Sequence, residues 1–567
     1  MNKIVRSSGL GSVAVLAGGG ASALLLALTA GPGSATSTLT VDSLADGAAT
    51  ASDCLTPVID SCSLRDAIAA AADGDVIVFE AGLAGTVTLT DGQLDIEVGV
   101  TITGTGSDQI AIDADGNSRV FYVGIAASDV TMSGITITGG NAGSSYGGGV
   151  WVRNPGTLDL IDVDITGNSG TYGGGIYHLG YGQFSMTDST VSNNTADWGG
   201  GGLYFGSNNI DAVFTRTVIT GNAANRGGAI GSTNTGDVTL IDSEITGNTA
   251  LGCGGGGNFL HGGDLIVEGS VFSDNESGSG GGGSYVSNAG SATITDSVFS
   301  RNAAYGGGFG GAMYFGTSNQ QIVISNSTLD SNSGTGSGAI YFGGSNSDVV
   351  INNSTIVGNE AVSANAGAFY KNRGGSLTVN QTTITENDAP SGGGIVLAGD
   401  GGGNVAATLL LSGSIVSANT ATDPDGTDIA LVWTAGNSVS SDHSLLGDIT
   451  DSVVVTDLGG TITSSSPGLS PLADNGGVTM TMALLANSVA LDAGPDPVAN
   501  FGGNGWDQRG TPWLRVYGTA SDIGAFEVQP DPNPPTTTTT STTASTSTTT
   551  STSMAATEEV VVPAFTG

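Results

Sequence analysis

The chain has 567 residues, 96 of them Gly, only 11% charged, and a formal charge of −39. Such a charge repels nucleic acid and anionic membranes, so neither is an expected partner. The length would ordinarily mean several domains, but an internal repeat absorbs most of it in one.

Residues 1–35 read as a signal peptide. Lys3 and Arg6 open it, an apolar run passes through Leu24 to Leu28, and small residues at Gly33 and Ala35 suit cleavage. The run is Gly-interrupted and short for a membrane span, so no transmembrane helix is expected in the mature chain. The protein should therefore be secreted, either extracellular or held at the cell surface. Loss of the leader leaves the remainder two charges more negative, with Lys371 as its one lysine. In an exported chain Cys54 and Cys62 are expected to form a disulfide. Cys253, alone in a Gly run, reads as a small packing residue.

Residues 36–74 read as an N-terminal cap. Ser63-Leu64-Arg65-Asp66 has capping-box spacing, with Asp in place of the usual Glu, and opens the helix-like AIAAAA that closes on Gly74. A short helix is expected there, with Leu64 and Ile68 plugging the end of the next domain, whose strand edges would otherwise be open.

Residues 75–466 carry the repeat. Asn recurs at 141, 168, 194, 222, 248, 275, 302, 332, 359, 387 and 419, a period of roughly 28 residues. Within a unit such as VTLIDSEITGN, alternation predicts strands, and Gly or Asn predicts turns. A unit this short cannot bury its apolar face alone, whereas stacked coils can, each strand pairing in parallel with its copy one turn on. The expected fold is all-β: a right-handed parallel β-helix (solenoid) with a short N-terminal helical cap and a disordered Thr/Ser-rich tail. Three residues before each Asn from 168 onward stands an apolar residue, from Ile165 to Val416, as an interior stack requires. The Asn should turn inward and bond to the Asn above and below. Six residues before it stand Asp162, Asp188, Arg216, Asp242, Gly269, Asp296, Asn326, Asn353, Gln381 and Gly413. A calcium ladder would need concentrated carboxylates. This diluted series points to turn capping, and no metal site or cofactor is expected, Ca²⁺ being the one ion such a surface would attract.

After each Gly cluster the residue expected to face outward is Trp151, Tyr177, Tyr204, Gly231, Leu260, Val286, Tyr314, Tyr341, Tyr370 and Val396 in turn. The six aromatic members, Trp151, Tyr177, Tyr204, Tyr314, Tyr341 and Tyr370, form a candidate ligand surface if exposed, since rings stack on sugar faces. Stacked Tyr could equally well do no more than reinforce the sheet.

Residues 467–528 are expected to complete the β-helix with further coils or a cap. Residues 529–567 begin with Pro530 to Pro535 and continue as a Thr/Ser tract, an extended stalk.

Three segments resemble known families. C62-S-L-R-D-A-I68, with Cys54 upstream, resembles the CSLREA domain, with Asp66 where that motif has Glu. FSDN at 272–275, FSRN at 299–302 and GGAI at 227–230 are similar to the repeats of polymorphic outer-membrane proteins. SPGLSPLADNGG at 466–477, DQRG at 507–510 and DIGAFE at 522–527 resemble the choice-of-anchor Q domain. The resemblance implies a pectin-lyase-like fold on a bacterial surface or in the medium, and no assigned activity.

That fold hosts polysaccharide lyases and hydrolases, so catalysis needs its own test. β-Elimination asks for a basic residue beside carboxylates that hold a metal, and hydrolysis for carboxylates converging on one cleft. Here Asp recurs once per coil at a turn. His178 and His261 fall in matching places three coils apart, roughly 14 Å at strand spacing, too far for one metal. Lys371-Asn372-Arg373, the only basic knot, reads as a solvated turn. No catalytic residues are expected. The expected function is non-catalytic, adhesin-like display or binding of an extracellular glycan or other ligand by a monomer. The alternative is a secreted polysaccharide lyase or glycoside hydrolase.

Overall fold

Short apolar runs between Gly and Asn corners make strands, and each strand pairs in parallel with its counterpart one coil on. Val150–Val152 pairs with Ile176–His178, and that strand with Leu203–Phe205. The computed structural model describes residues 36–530, apart from 57–60, 154–155, 207–209, 234–235, 288–289, 308, 317–319, 346, 364, 400–405, 423–426, 433–435, 450–452, 499–500 and 502–504. The signal peptide expected over 1–35 lies outside the described residues, as does the stalk expected over 529–567 past its first two residues. Among the described residues three sheets of 29, 13 and 10 strands run along a right-handed parallel β-helix, the second contributing one strand per coil. Among the described residues no helix is long and apolar enough to cross a membrane.

The apolar positions form one continuous interior stack. Ile245, Phe272 and Phe299 are fully buried and in register, and the two Phe rings stack at 4.7 Å. Each such side chain contributes about 1.5–3 kcal/mol by leaving water.

The corners explain the polar register. Every non-Gly residue six positions before the Asn has positive φ, from 45° at Asn353 to 54° at Asp162, and Gly269 and Gly413 share φ 58°. Left-handed backbone costs least for Gly, Asn and Asp, which is why they dominate there. The Arg216 exception lays its guanidinium on the Asp188 carboxylate one coil back, at 2.6 and 2.8 Å.

Two buried ladders close the turns. Each Asn from 168 to 387 donates its side-chain Nδ2 to the Oδ1 of the next, at 2.8 to 3.0 Å. The same Oδ1 also takes the backbone N–H of the preceding Asn, as Asn248 Oδ1 does from Asn222 at 3.0 Å. Asn419 ends the run on the Asp428 carboxylate. Asn141 does not join, being exposed. The backbone N–H of Gly140 instead meets the first rung, Asn168. A second ladder, of hydroxyls, follows the left-handed corner: Ser243 N–H donates to Ser270 Oγ, Ser270 to Ser297, and Ser297 to Ser327.

The solenoid starts earlier than residue 75, because Thr38–Val41 pairs in parallel with Asp75–Phe79. The helix Leu64–Ala70 has the full capping box between Ser63 and Asp66, and Leu64 is buried in the core. Cys54 and Cys62 are bonded beside it, with Cα atoms 4.8 Å apart.

Coil pairing ends at Ile462–Thr463. Residues 467–528 are expected as further coils or a cap; among the described residues the segment adds no parallel strand to the coils and folds back along the flank of earlier ones. Thr479 donates to the Asn326 carbonyl, Asn353 to the Trp506 carbonyl, and Ala525 N–H to Thr383 Oγ1. It carries no Asn–Gly repeat, and Pro467, Pro471, Pro495, Pro497 and Pro512 remove donors that a ladder needs.

Candidate functional site

The 13-stranded sheet displays the aromatic row. Its strands alternate inward and outward, and from Trp151 on the outward member is the second residue after the last small residue of the Gly cluster. In register these are Tyr122, Trp151, Tyr177, Tyr204, Gly231, Phe259, Tyr285, Tyr314, Tyr341 and Tyr370. Two expected members are therefore corrected. Leu260 and Val286 face inward and are buried, while Phe259 and Tyr285 hold their outward places. The slip has a cause: Asn258 and Ser284 occupy interior positions in line with Ile230 and Met313. A polar residue beside Gly carries a turn signal, which places the strand start one residue too late.

The rings point away from the core but do not form an open platform. Tyr177 and Tyr204 are 8% exposed and Tyr370 is 4% exposed, whereas Trp151, Tyr314 and Tyr341 are half-buried. Parallel strands lie about 4.8 Å apart, close to ring-stacking distance, so neighbouring rings hide one another's faces. Tyr177 and Tyr204 stack at 5.7 Å, Tyr314 and Tyr341 at 5.6 Å, and Tyr341 and Tyr370 at 4.9 Å. Tyr146, bridged in parallel to Tyr172, covers Tyr177 at 4.6 Å. Burial pushes the Tyr177, Tyr314 and Tyr370 hydroxyls up to about 12, keeping them protonated. The expectation of an exposed row thus fails for Tyr177, Tyr204 and Tyr370.

The column breaks once between Trp151 and Tyr370, at Gly231. A Cβ there would lie 2.8 Å from the Gly200 nitrogen and 2.9 Å from the Tyr204 ring, so no ring fits. Tyr204 leans across to Thr233, its hydroxyl 3.2 Å from Thr233 Oγ1. Beyond the gap Phe259 stacks on Tyr285 at 5.1 Å. Among the described residues no ring covers Phe259 on its Gly231 side. The break opens a cavity of about 430 Å³ lined by Arg226, Thr233, Cys253, Phe259, His261, Tyr285 and Ser287. His261 Nδ1 is 3.0 Å from Ser287 Oγ. Cys253 is exposed at this cavity rather than packed. The volume lies in the range of small-ligand sites, roughly 300–1,000 Å³.

His178 and Lys371 stand apart from this cavity. His178 and His261 are not in matching places, since His178 faces the core and His261 outward. Burial depresses His178 to about 3. Lys371 is not part of a solvated turn. It points inward between Phe342 and Leu397, bonded to the Gly374 carbonyl, and burial lowers it to about 8. Among the described residues no three His, Cys, Asp or Glu side chains converge where a metal could sit.

A family model described as a right handed beta helix region matches residues 174–346 and 228–421. No curated protein sequence matches the chain. Among solved structures, pectate lyase Pel9A is similar at 13% identity and TM-score 0.32, covering 88% of this chain and 97% of its own. A PL6 alginate lyase in complex with a trisaccharide is similar at 12% identity and TM-score 0.37, covering 80% of this chain and 92% of its own. Coil geometry and the family match agree on the fold, a right-handed parallel β-helix.

Proposed function

We propose that this is a non-catalytic, exported β-helix protein, secreted or held at the cell surface, whose ring-ladder face binds an extracellular glycan at the break beside Gly231. The observation that carries the reading is the cavity there, where an otherwise continuous ring column leaves the face of Phe259 uncovered beside hydroxyl and imidazole groups. Aromatic faces with a few polar groups at their edge suit sugar rings. Catalysis has weaker support: Asp159, Asp211 and Asp237 line one cavity of about 260 Å³, but no Lys or Arg lines it with them, among the described residues no three acidic, His or Cys side chains are placed to hold a metal, and the left-handed corners carry at most one carboxylate per coil.

A glycan array probed with the purified protein tests this. Phe259→Ala with Tyr285→Ala should weaken any binding by about 1–3 kcal/mol, the range for aromatic anchors, with little change in thermal stability. Undiminished binding in that variant would move the site elsewhere. Turnover of pectin or alginate, abolished by one Asp substitution, would overturn the non-catalytic reading in favour of a lyase or hydrolase.

A further inference from the structure

The distribution of charge on this face differs from that of the rest of the molecule. Beyond residue 35 the cations are Lys371 and the arginines 65, 119, 153, 216, 226, 301, 373, 509 and 515. Arg65, Arg216, Arg301, Arg509 and Arg515 are spent in ion pairs with carboxylates. Among the described residues the other four pair with no carboxylate, and all four lie along the ring ladder. Arg119 and Arg153 sit over the Trp151 ring at 4.8 and 5.5 Å. Arg226 lines the cavity, and its charge is felt by the Tyr204 and Tyr285 hydroxyls. Arg373 acts likewise on Tyr314 and Tyr341. The strands of this sheet carry a single carboxylate, Asp95, at its first strand. In a chain with 51 Asp and Glu, one sheet face has strands almost free of acid and holds every arginine that, among the described residues, pairs with no carboxylate.

We propose that the cavity beside Gly231 binds a sugar residue bearing a single carboxylate, the carboxylate on the exposed Arg226 guanidinium and the ring on Phe259. This rests on the glycan-binding reading and specifies its ligand. A planar guanidinium takes a carboxylate through two parallel N–H bonds, which no other side chain lining the cavity can supply. A polymer with a carboxylate on every unit is a poor fit. The net charge of −39 repels such a chain wherever it leaves the narrow basic strip. One acidic residue in an otherwise neutral glycan avoids that repulsion, because charges farther off than about 8 Å are screened at physiological salt.

Calorimetry on the purified protein tests the idea with a neutral disaccharide and the same disaccharide oxidised to one uronic acid. The acid should bind at least about tenfold more tightly at low salt, as a charge-assisted pair implies, and the preference should shrink as salt rises. In Arg226→Gln the two sugars should bind alike. That side chain is exposed, so the variant should fold, and an unchanged melting curve checks it. Equal affinity of both sugars for the native protein would overturn the inference while leaving the ring-face reading standing. A preference that survives in Arg226→Gln would also overturn it. Binding of neither sugar would do so too, and the array then decides whether the face binds any glycan.

Discussion

His178 shows how far a single side chain can depart from its repeat position. In the adjacent coils Val152 and Phe205 occupy the same inward place. The imidazole sits between Phe184 and Phe205, with ring centroids at 6.0 and 6.1 Å, and neither nitrogen has a hydrogen-bond partner. Burial alone pushes its pKa down to about 3, whereas in the unfolded chain it titrates near 6.5. Between those values the unfolded state binds the extra proton, so stability contributed by the neutral ring is present above pH 6.5 and is lost as pH falls toward 3. His178→Phe keeps the ring and removes both the titration and the unpaired nitrogens. Its stability advantage over the native protein should grow by about 2 kcal/mol between pH 7 and pH 5, measured by urea unfolding. An advantage that is the same at both values would mean that the folded protein binds a proton at His178 as readily as the unfolded chain does.

The coil is where the sequence was most legible, for a physical reason. An interior apolar position and an inward amide are demanded again by every neighbour, so Ile165 to Val416 and Asn168 to Asn419 repeat without exception. The outward ring positions face no such demand, and there Asn258 and Ser284 disguised the register. The Asn ladder also gives the coil its cooperativity. Asn248 accepts from Asn222 through both backbone and side chain, and donates to the Ile219 and Thr246 carbonyls and to Asn275 Oδ1, at 2.9 to 3.1 Å. Asn248→Ala strands several buried partners at once, and a cost of about 3–5 kcal/mol is expected. Since coils contact only their neighbours, the damage should stay local. Amide exchange should quicken at Asn222 and Asn275 and remain slow at Asn387. Faster exchange along the whole rod would show that the rungs act as one unit instead.

Over the whole molecule, the C-terminal segment makes contacts that a repeat pattern cannot disclose, since its partners lie far back in the chain. Thr355 donates to Gln508 Oε1 at 2.6 Å, and Gln508 Nε2 reaches Thr328 Oγ1 at 3.0 Å. The DQRG and DIGAFE motifs build the segment's own small core. Arg509 lies between Trp513 and Phe526, 3.7 and 3.8 Å from the ring centroids, and bonds Asp507 at 2.5 Å and the Glu527 carbonyl at 2.6 Å. Both charged side chains are almost fully buried. Removing one leaves the other unpaired, at a cost of about 3–5 kcal/mol. That cost falls on a segment of about sixty residues, while the coils keep their own ladders and hydrophobic stack. Arg509→Ala should therefore release the segment without unfolding the rod. Limited proteolysis should cut within 467–528 and leave a resistant β-helix core, its far-UV spectrum preserved. Digestion of the coils at the same rate as the segment would show instead that this flank contact is required for the solenoid itself to persist.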